Sequence, residues 1–268
     1  MIRLLAPAKL NLFLHVTGVR PDGYHTLESV FVPVDLADEL EVREAPDLVR
    51  EGDLTGPVEA DLCVKAARLL QQACGVSSGA RIRLVKRIPV GAGMGGGSSD
   101  AAATLLALNR LWRLSLDEAG LRQLAARLGA DVPFFIRPEP SWVSGIGEVV
   151  EPIAFPETAF TVVYPGLSQS TARIFSSPHL TFSGHAHSRE DFARAVADGT
   201  WFALGRNDLE APARESAPEV RAMLERYPVL RLTGSGSAAF APARLLPPGT
   251  LGSLPRGWRH FSVKTFRI

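Results

Sequence analysis

Hydrophobic and polar residues alternate at the start of the chain. Leucine or valine occupies every second position from 10 to 16. The alternate positions, from 9 to 15, carry Lys9, Asn11, Phe13 and His15. An alternation of period two is typical of a β-strand, whose successive side chains point to opposite faces. We therefore predict a strand here and expect the side chains of Lys9 and Asn11 to project together.

The next segments predict further strands and then a helix. A Pro-Asp-Gly turn signal at 21–23 precedes an extended segment over Leu27–Leu36, and a separate strand is predicted over Glu39–Glu44. Helical spacing of apolar residues follows at Ala60–Ala73, with Gly75 just past its end. Arg81–Val85 is then predicted to be a strand.

A glycine-rich segment follows that strand and leads into a helix. Five of the seven residues from 91 to 97 are glycines, and a helix is predicted from Ser98 or Ser99 to Trp112. So many glycines imply main chain that takes positive φ or approaches another group closely. The free N–H groups and positive dipole end at such a helix start favour an anion. The segment is therefore predicted to bind phosphate.

Past residue 140 the chain becomes rich in proline, and strands and helices mix without strict alternation. We predict a helix at Leu116–Leu128 before this point and a domain boundary near residue 150. The second half is predicted to contain a strand at Ala159–Tyr164, helices at Asp191–Ala197 and Glu219–Tyr227, and a second glycine turn at Leu232–Ser237. This mixture predicts an α+β architecture.

Composition excludes several classes of protein. A net charge of +1 does not favour a nucleic-acid partner, and no apolar stretch approaches the length that spans a membrane. The N-terminus lacks the apolar region of a secretory signal, so cytoplasmic localisation is expected. The histidines at 179, 185 and 187 lie on a Ser- and Gly-containing loop near Asp191, which favours a solvated surface over a metal site.

Three phosphate-binding motifs compete for the glycine segment. A Walker A loop requires a lysine after its last glycine, but Gly97 is followed by Ser98. The dinucleotide fingerprint G-x-G-x-x-G matches from Gly91, yet it needs a strand ending in an acid near Asp117, where the spacing is helical. The third alternative is a nucleotide triphosphate held by main-chain N–H groups and serine hydroxyls, and we favour it.

Several motifs together resemble those of the GHMP small-molecule kinases. They are Pro7–Leu12 (PAKLNL), the segment Pro89–Ser99 and the turn Gly234–Gly236. Arg20–His25 (RPDGYH), Gly129–Phe135 (GADVPFF) and Asn207–Glu210 (NDLE) resemble the branch that phosphorylates the 2-hydroxyl of a cytidine-diphosphate-linked methylerythritol, a step of the non-mevalonate route to isoprenoid precursors. The resemblance runs from residue 6 to about 240.

The resemblance implies a two-domain, GHMP-kinase-like α+β fold with its active site in a cleft between the domains. An ATP-binding domain over 1–150 and a C-terminal domain over 151–268 are expected, with the catalytic residues Lys9 and Asp131. ATP with Mg²⁺ is the expected cofactor. The residues implied in its binding are Lys86, Pro89, Val90, Gly91, Ala92, Gly93, Met94, Gly95, Gly96, Gly97, Ser98 and Ser99.

Substrate contacts are also implied by the resemblance. The matching positions are Tyr24, His25 and Phe175 around the cytosine ring and Asn11 near the reacting end. Stacking suits a flat pyrimidine, and a hydrogen-bonding histidine distinguishes its edges. The alternative is that Tyr24 and Phe175 are core aromatics and His25 an incidental surface residue. Monomer and weak homodimer both stay open.

Two departures from the family pattern affect these expectations. Asp61 stands where the family commonly has an asparagine near the adenine, and Arg137–Pro140 replaces a Gly-rich turn. Three other functions remain as alternatives. The first is a related kinase that acts on mevalonate, homoserine or a sugar, the second is a nucleotide-binding module without catalysis, and the third is an NAD-dependent oxidoreductase. The Tyr24-His25 pair favours the cytidyl kinase over the first, and the presence of both Lys9 and Asp131 argues against the second.

Overall fold

The structure is a computed structural model that describes residues 1–185 and 187–267. Strands and helices are mixed along the chain, in agreement with the predicted α+β class. The strands are β1 (Ile2–Val19), β2 (His25–Ala45), β3 (Leu48–Gly52), β4 (Gly79–Val85), β5 (Ser141–Ser144), β6 (Val149–Pro152), β7 (Ala159–Tyr164), β8 (Arg231–Leu232), β9 (Ala239–Pro242) and β10 (Arg259–Lys264).

Helices follow the apolar spacing closely. They are α1 (Leu62–Cys74), α2 (Gly96–Leu111), α3 (Glu118–Ala126), α4 (Thr171–Phe175), α5 (Arg189–Ala197), α6 (Glu210–Ser216) and α7 (Pro218–Arg226), with 3-10 helices at Val58–Ala60, Pro133–Ile136 and Pro248–Leu251. Gly75 ends α1 with φ +65°, as its position after the apolar run predicted. Among the residues described, no helix combines the length and hydropathy needed to cross a bilayer.

One long strand replaces two predicted ones. β2 continues through residues 37 and 38, between the two segments that were predicted as separate strands. The Asp38 side chain is fully buried, and its Oδ1 accepts hydrogen bonds from the main-chain N–H groups of Arg87 (2.5 Å) and Ile88 (2.8 Å). These bonds satisfy the carboxylate inside the protein, so the strand tolerates it.

Two compact units divide the chain, and neither is continuous in sequence. The first comprises Met1–Ala8, Leu36–Val90 and Gly95–Pro138, and the second comprises Lys9–Asp35, Gly91–Met94 and Glu139–Ile268. The boundary predicted near residue 150 therefore falls inside the second unit. The reason is that β1, β2 and the glycine segment each pass from one unit to the other.

The first unit combines a small sheet with three helices. In this unit β4 pairs antiparallel with Glu39–Ala45 of β2 and parallel with β3, while α1 packs against α2. Residues 112–117 lead from α2 directly into α3, whose first turn is capped by the Asp117 side chain. The dinucleotide fingerprint requires a parallel strand at this point, so the oxidoreductase alternative is wrong.

The second unit contains an antiparallel sheet in the order β10-β7-β9-β8. Its core includes Leu14 and Val16 of β1, Val163 of β7 and Ala239 of β9, packed with residues of α6 and α7. Residues 29–31 of β2 pair antiparallel with β5, and β5 pairs with β6 around the Gly145–Gly147 turn. This hairpin was missed because each strand has only four residues.

Candidate active site

Lys9 and Asn11 lie on the same face of β1, as the alternation predicted, and both are buried. The ammonium of Lys9 contacts Asn11 Oδ1 and lies 4.7 Å from the centroid of the Phe31 ring. Asn11 in turn donates from Nδ2 to Ser29 Oγ (3.0 Å) and from its main-chain N–H to Thr233 Oγ1 (3.0 Å). Neutral side chains of the second unit thus hold both residues in fixed orientations.

Residues 91–94 of the glycine segment form a tight turn in the same unit. Gly91 and Gly93 have φ of +63° and +75°. A Cβ at Gly93 would lie 2.1 Å from the carbonyl oxygen of Thr233, so a side chain is excluded by space as well as by conformation. The main-chain N–H of Lys9 donates to the carbonyl oxygen of Met94 at 2.9 Å. This turn is therefore bonded directly to the strand that carries Lys9.

The second glycine turn, at 233–236, completes this arrangement. Asn207 clamps it by donating from Nδ2 to the carbonyl oxygens of Leu232 and Gly234, each at 2.8 Å. A Cβ at Gly234 would lie 3.2 Å from Lys9 Nζ and 2.7 Å from the carbonyl oxygen of Gly93. Three motifs that are far apart in sequence thus meet in the second unit: the lysine strand, the glycine segment and the C-terminal glycine turn.

The rest of the glycine segment begins α2 in the first unit. The helix starts at Gly96, two residues before the predicted start, because Gly95 takes φ +72° as its N-cap and contributes no side-chain hydrogen bond. Ser99 is buried, and its Oγ has no hydrogen-bond partner among the described residues. The uncapped N–H groups at this helix start, which follows a glycine in the left-handed region, fit a bound polyphosphate.

Lys86, at the end of β4, belongs to a buried charged group in the first unit. Its Nζ is 2.6 Å from Asp100 Oδ2 in the first turns of α2 and also contacts Asp38 Oδ2 of β2. We call Asp38, Lys86 and Asp100 the lysine cluster. Burial alone would lower the pKa of Lys86, but the two carboxylates hold that pKa above its ordinary value. The expected phosphate ligand is thus already bound to two anions.

Asp100 is the most perturbed acid of the lysine cluster. Burial and the negative charge of Asp38 raise its pKa to about 7, against the opposing attraction of Lys86. Its Oδ1 is buried and has no hydrogen-bond partner among the residues described. One ammonium therefore serves two carboxylates, and the cluster exchanges a proton near neutral pH.

Asp131, the second residue expected to be catalytic, belongs to the first unit. It lies in the turn between α3 and the 3-10 helix Pro133–Ile136, and it is half-buried. The main-chain N–H of Val132 donates to the carbonyl oxygen of Gly129 at 3.2 Å, which closes the turn. The buried residues that follow, from Val132 to Ile136, anchor this turn to the unit.

Two of the three residues predicted around a cytosine ring meet in the second unit. The rings of His25, at the start of β2, and Phe175, at the end of α4, have centroids 5.2 Å apart. Tyr24 precedes His25 and is 60% exposed, so its ring is not a core aromatic. Phe182, which the sequence did not single out, is also exposed and lies 6.0 Å from the His25 ring.

Asp61 has a structural explanation that the sequence did not supply. Its Oδ1 caps α1 by accepting from the N–H of Cys63 at 2.8 Å, and its Oδ2 accepts from Arg50 Nε at 3.0 Å. Arg50 also donates to the carbonyl oxygen of Asp53 at 2.6 Å. Both carboxylate oxygens are engaged, so an arginine accompanies the acid that stands in place of the family's asparagine.

The histidine-containing loop binds to its surroundings through carboxylates. His179 Nε2 lies 2.9 Å from Glu215 Oε1, His185 Nδ1 lies 2.6 Å from Glu28 Oε1, and Asp191 caps α5. Over residues 1–185 and 187–267, no group of three His, Cys, Asp or Glu side chains is arranged to hold a metal ion.

Several residues of the site were not predicted from the sequence. Ser29 and Thr233 bond to Asn11, Asn207 clamps the second glycine turn, and Asp38 and Asp100 hold Lys86. For Asn207 a signal existed, because it lies in one of the motifs that carried the resemblance. The other four are ordinary polar residues in strands, turns or a helix, and only the tertiary structure brings them to their partners.

Comparison with known proteins gives consistent matches. Residues 61–138 match the family model described as the GHMP kinases N terminal domain. A 4-diphosphocytidyl-2-C-methyl-D-erythritol kinase of Paracidovorax citrulli is 47% identical over 266 residues, covering 96% of this chain and 91% of the relative. The enzyme of the same name from Ralstonia pickettii is 48% identical over 244 residues, covering 88% and 83%.

Solved structures match over nearly the whole chain. A crystal structure of 4-(cytidine 5'-diphospho)-2C-methyl-D-erythritol kinase superposes with a TM-score of 0.77 at 35% identity, covering 98% of each chain. Mevalonate kinase of Methanococcus jannaschii superposes with a TM-score of 0.62 at 14% identity, covering 99% of this chain and 98% of the other. The second likeness concerns the fold alone.

Proposed function

The chain belongs to the 4-diphosphocytidyl-2-C-methyl-D-erythritol kinase family within the GHMP kinases, and from this premise we propose its reaction and the roles of its residues. It is an ATP-dependent kinase that phosphorylates the 2-hydroxyl of 4-diphosphocytidyl-2-C-methyl-D-erythritol. The observation that carries this function is the meeting of Lys9, the turn at 91–94 and the turn at 233–236 in one unit.

The glycine segment holds the triphosphate of ATP in this proposal. Phosphoryl transfer has a loose transition state with charge spread over the migrating group, so catalysis consists mainly of positioning and electrostatic stabilisation. Main-chain N–H groups of this segment would supply both, and the positive φ of Gly91, Gly93 and Gly95 gives main chain of the kind that approaches a ligand closely. Mg²⁺ bound to the phosphates would further neutralise the charge that develops during transfer.

Asp131 and Lys9 act on the acceptor hydroxyl. Asp131 accepts the hydroxyl proton as the oxygen attacks, and Lys9 orients that oxygen and balances its developing charge. Asn11 contacts the ammonium of Lys9 and is itself fixed by Ser29, so we assign it the role of orienting Lys9. These roles follow the resemblance residue by residue, and the buried setting of Lys9 supports its part.

The cytosine ring of the acceptor is recognised by Tyr24, His25 and Phe175. Aromatic faces stack on the pyrimidine, and the imidazole of His25 offers a hydrogen bond that distinguishes its edges. The contact between His25 and Phe175 supports this assignment. Mevalonate, homoserine and sugars carry no base, so an aromatic set of this kind favours the cytidyl compound over them.

A coupled ATP assay tests the function. We expect turnover of 4-diphosphocytidyl-2-C-methyl-D-erythritol but not of mevalonate. Asp131→Asn should lower kcat by about 10²- to 10⁴-fold, the contribution of a general base, while both substrates still bind. The matched control is Asp117→Asn, an exposed helix cap of the same unit, which should keep kcat within about twofold. Full activity of Asp131→Asn would remove that residue from the mechanism, and mevalonate turnover would overturn the assigned acceptor.

A further inference from the structure

The lysine cluster ties three segments of the first unit together. Asp38 belongs to β2, Lys86 follows β4, and Asp100 lies in the first turns of α2. All three side chains are buried, with exposures of 0%, 11% and 5%. The cluster therefore fixes the start of α2 to the interior of β2 and to the end of β4.

The ammonium of Lys86 also lies directly against the main chain of the glycine segment. A Cβ at Gly96 would lie 3.3 Å from Lys86 Nζ and 3.1 Å from Ile88 Cγ2. Asp38 bonds to the main-chain N–H groups of Arg87 and Ile88, which hold this stretch in place. The first residue of α2 thus packs on the lysine cluster, and a Cβ at that position would require Lys86 and Ile88 to shift by a few tenths of an ångström.

The charges of the cluster argue against direct phosphate binding by Lys86. A lysine ammonium has three donors, and two of them are directed at carboxylates here. With both acids ionised, the three side chains carry a net negative charge. Such a group attracts a triphosphate poorly, so its value for ATP binding must lie in the main chain that it supports.

We propose that Lys86 is a positioning residue for ATP, which holds Gly96 and the first turn of α2 through Asp38 and Asp100 and does not bind the phosphates itself. This inference rests on the proposed kinase function, because it concerns the nucleotide of that reaction. Removing either the lysine or one of its carboxylates then disturbs the same segment. Both changes weaken ATP binding, although they alter the charge in opposite directions.

The decisive variant is Asp100→Asn, compared at pH 8, where Asp100 is ionised, so that the substitution keeps the shape of the side chain and removes one negative charge. We expect the dissociation constant of a non-hydrolysable ATP analogue, measured by titration calorimetry, to rise about tenfold, the effect of losing a charge-assisted hydrogen bond. The value of kcat at saturating ATP and the KM of the acceptor should stay within about twofold, which a general loss of folded protein would not produce. An unchanged or tighter dissociation constant would overturn the proposal, because it would mean that the ammonium is a phosphate ligand.

Two further variants sharpen the test. Lys86→Met should weaken the analogue at least as much as Asp100→Asn, and the double variant should bind no more weakly than Lys86→Met, since each change breaks the same contact. Independent, multiplying effects would contradict the positioning role. Arg87→Met removes the neighbouring exposed positive charge, paired with Glu39 at 2.6 Å, and should alter the dissociation constant less than about twofold.

The proposed function and this inference fail in different ways. Absence of acceptor phosphorylation by the unaltered enzyme would count against the function alone. Normal phosphorylation with tighter nucleotide binding by Asp100→Asn would count against the inference alone. Each variant is first compared with the unaltered chain by its urea unfolding midpoint, and the decision is made on Asp100→Asn if Lys86→Met does not fold.

Discussion

Two lysines, Lys9 in the second unit and Lys86 in the first, differ in the partners that their own units supply. Lys86 is bound by the carboxylates of Asp38 and Asp100. Asn11 and Phe31, which contact Lys9 within the second unit, are neutral. The carboxylates compensate the charge of Lys86, whereas Asn11 Oδ1 and the Phe31 ring orient the ammonium of Lys9 within its own unit. The comparison suggests a structural task for Lys86 and a chemical one for Lys9.

The side chains around Asn11 and those of the lysine cluster also differ in how they respond to pH. The polar side chains around Asn11 are the hydroxyls of Ser29 and Thr233, which do not titrate in the physiological range. The lysine cluster contains two acids and one base within contact distance. The free energy of unfolding should therefore depend on pH through the lysine cluster and not through the neutral side chains around Asn11.

The largest expected effect separates the two lysines by activity. Lys9→Met removes an ammonium from the reacting end of the acceptor, so kcat should fall by about 10³-fold, as for loss of electrostatic stabilisation in a dry site. ATP binding should change little. The coupled assay measures the first quantity and titration calorimetry the second. Lys65→Met, an exposed lysine on α1, is the matched control and should retain kcat within about twofold.

The opposite pattern would break the comparison. If Lys9→Met retained kcat but weakened ATP binding, Lys9 would have the positioning role assigned to Lys86. The unfolding midpoint of Lys9→Met decides between a lost catalytic group and a lost fold. Since the methionine fills most of the same volume beside Phe31, we expect this midpoint to stay close to that of the unaltered chain.

The sequence predicted the local elements well and the polar partners poorly. Alternation in β1 was sufficient to place Lys9 beside Asn11, and the glycine count was sufficient to predict positive φ at 91 and 93. These features depend on neighbouring residues. The gap between the two predicted strands at 37 and 38 was wrong, because the N–H partners that let Asp38 be buried come from residues 87 and 88, which are distant in sequence. The division into units was missed for the same reason, since β1 and β2 each belong to both.

A second prediction compares the stability that each set of partners contributes. Asp38→Ala removes a fully buried carboxylate and leaves Lys86 and two main-chain N–H groups without it, so the free energy of unfolding should fall by about 3 to 5 kcal/mol. Ser29→Ala removes one neutral hydroxyl beside Asn11 and should cost about 1 kcal/mol. Urea unfolding at one pH measures both. Equal losses in the free energy of unfolding would show that the charged lysine cluster contributes no more stability than the neutral hydroxyl beside Asn11.

The smallest expected effect is the pH dependence of that stability. The folded pKa of Asp100, raised to about 7 by burial and by Asp38, exceeds its ordinary value of 3.8, so the folded state holds a proton that the unfolded chain releases. Its contribution is complete below the unfolded value and is lost as the pH rises through the folded one. Urea unfolding between pH 5 and 8 should show the free energy of unfolding of the unaltered chain falling relative to that of Asp100→Asn by about 1 kcal/mol per pH unit up to pH 7, then levelling.

Ser29→Ala changes no titrating group, so its curve of unfolding free energy against pH should run parallel to that of the unaltered chain. A constant difference between the unaltered chain and Asp100→Asn would mean that Lys86 keeps both acids ionised throughout, which would make its two carboxylates equivalent partners.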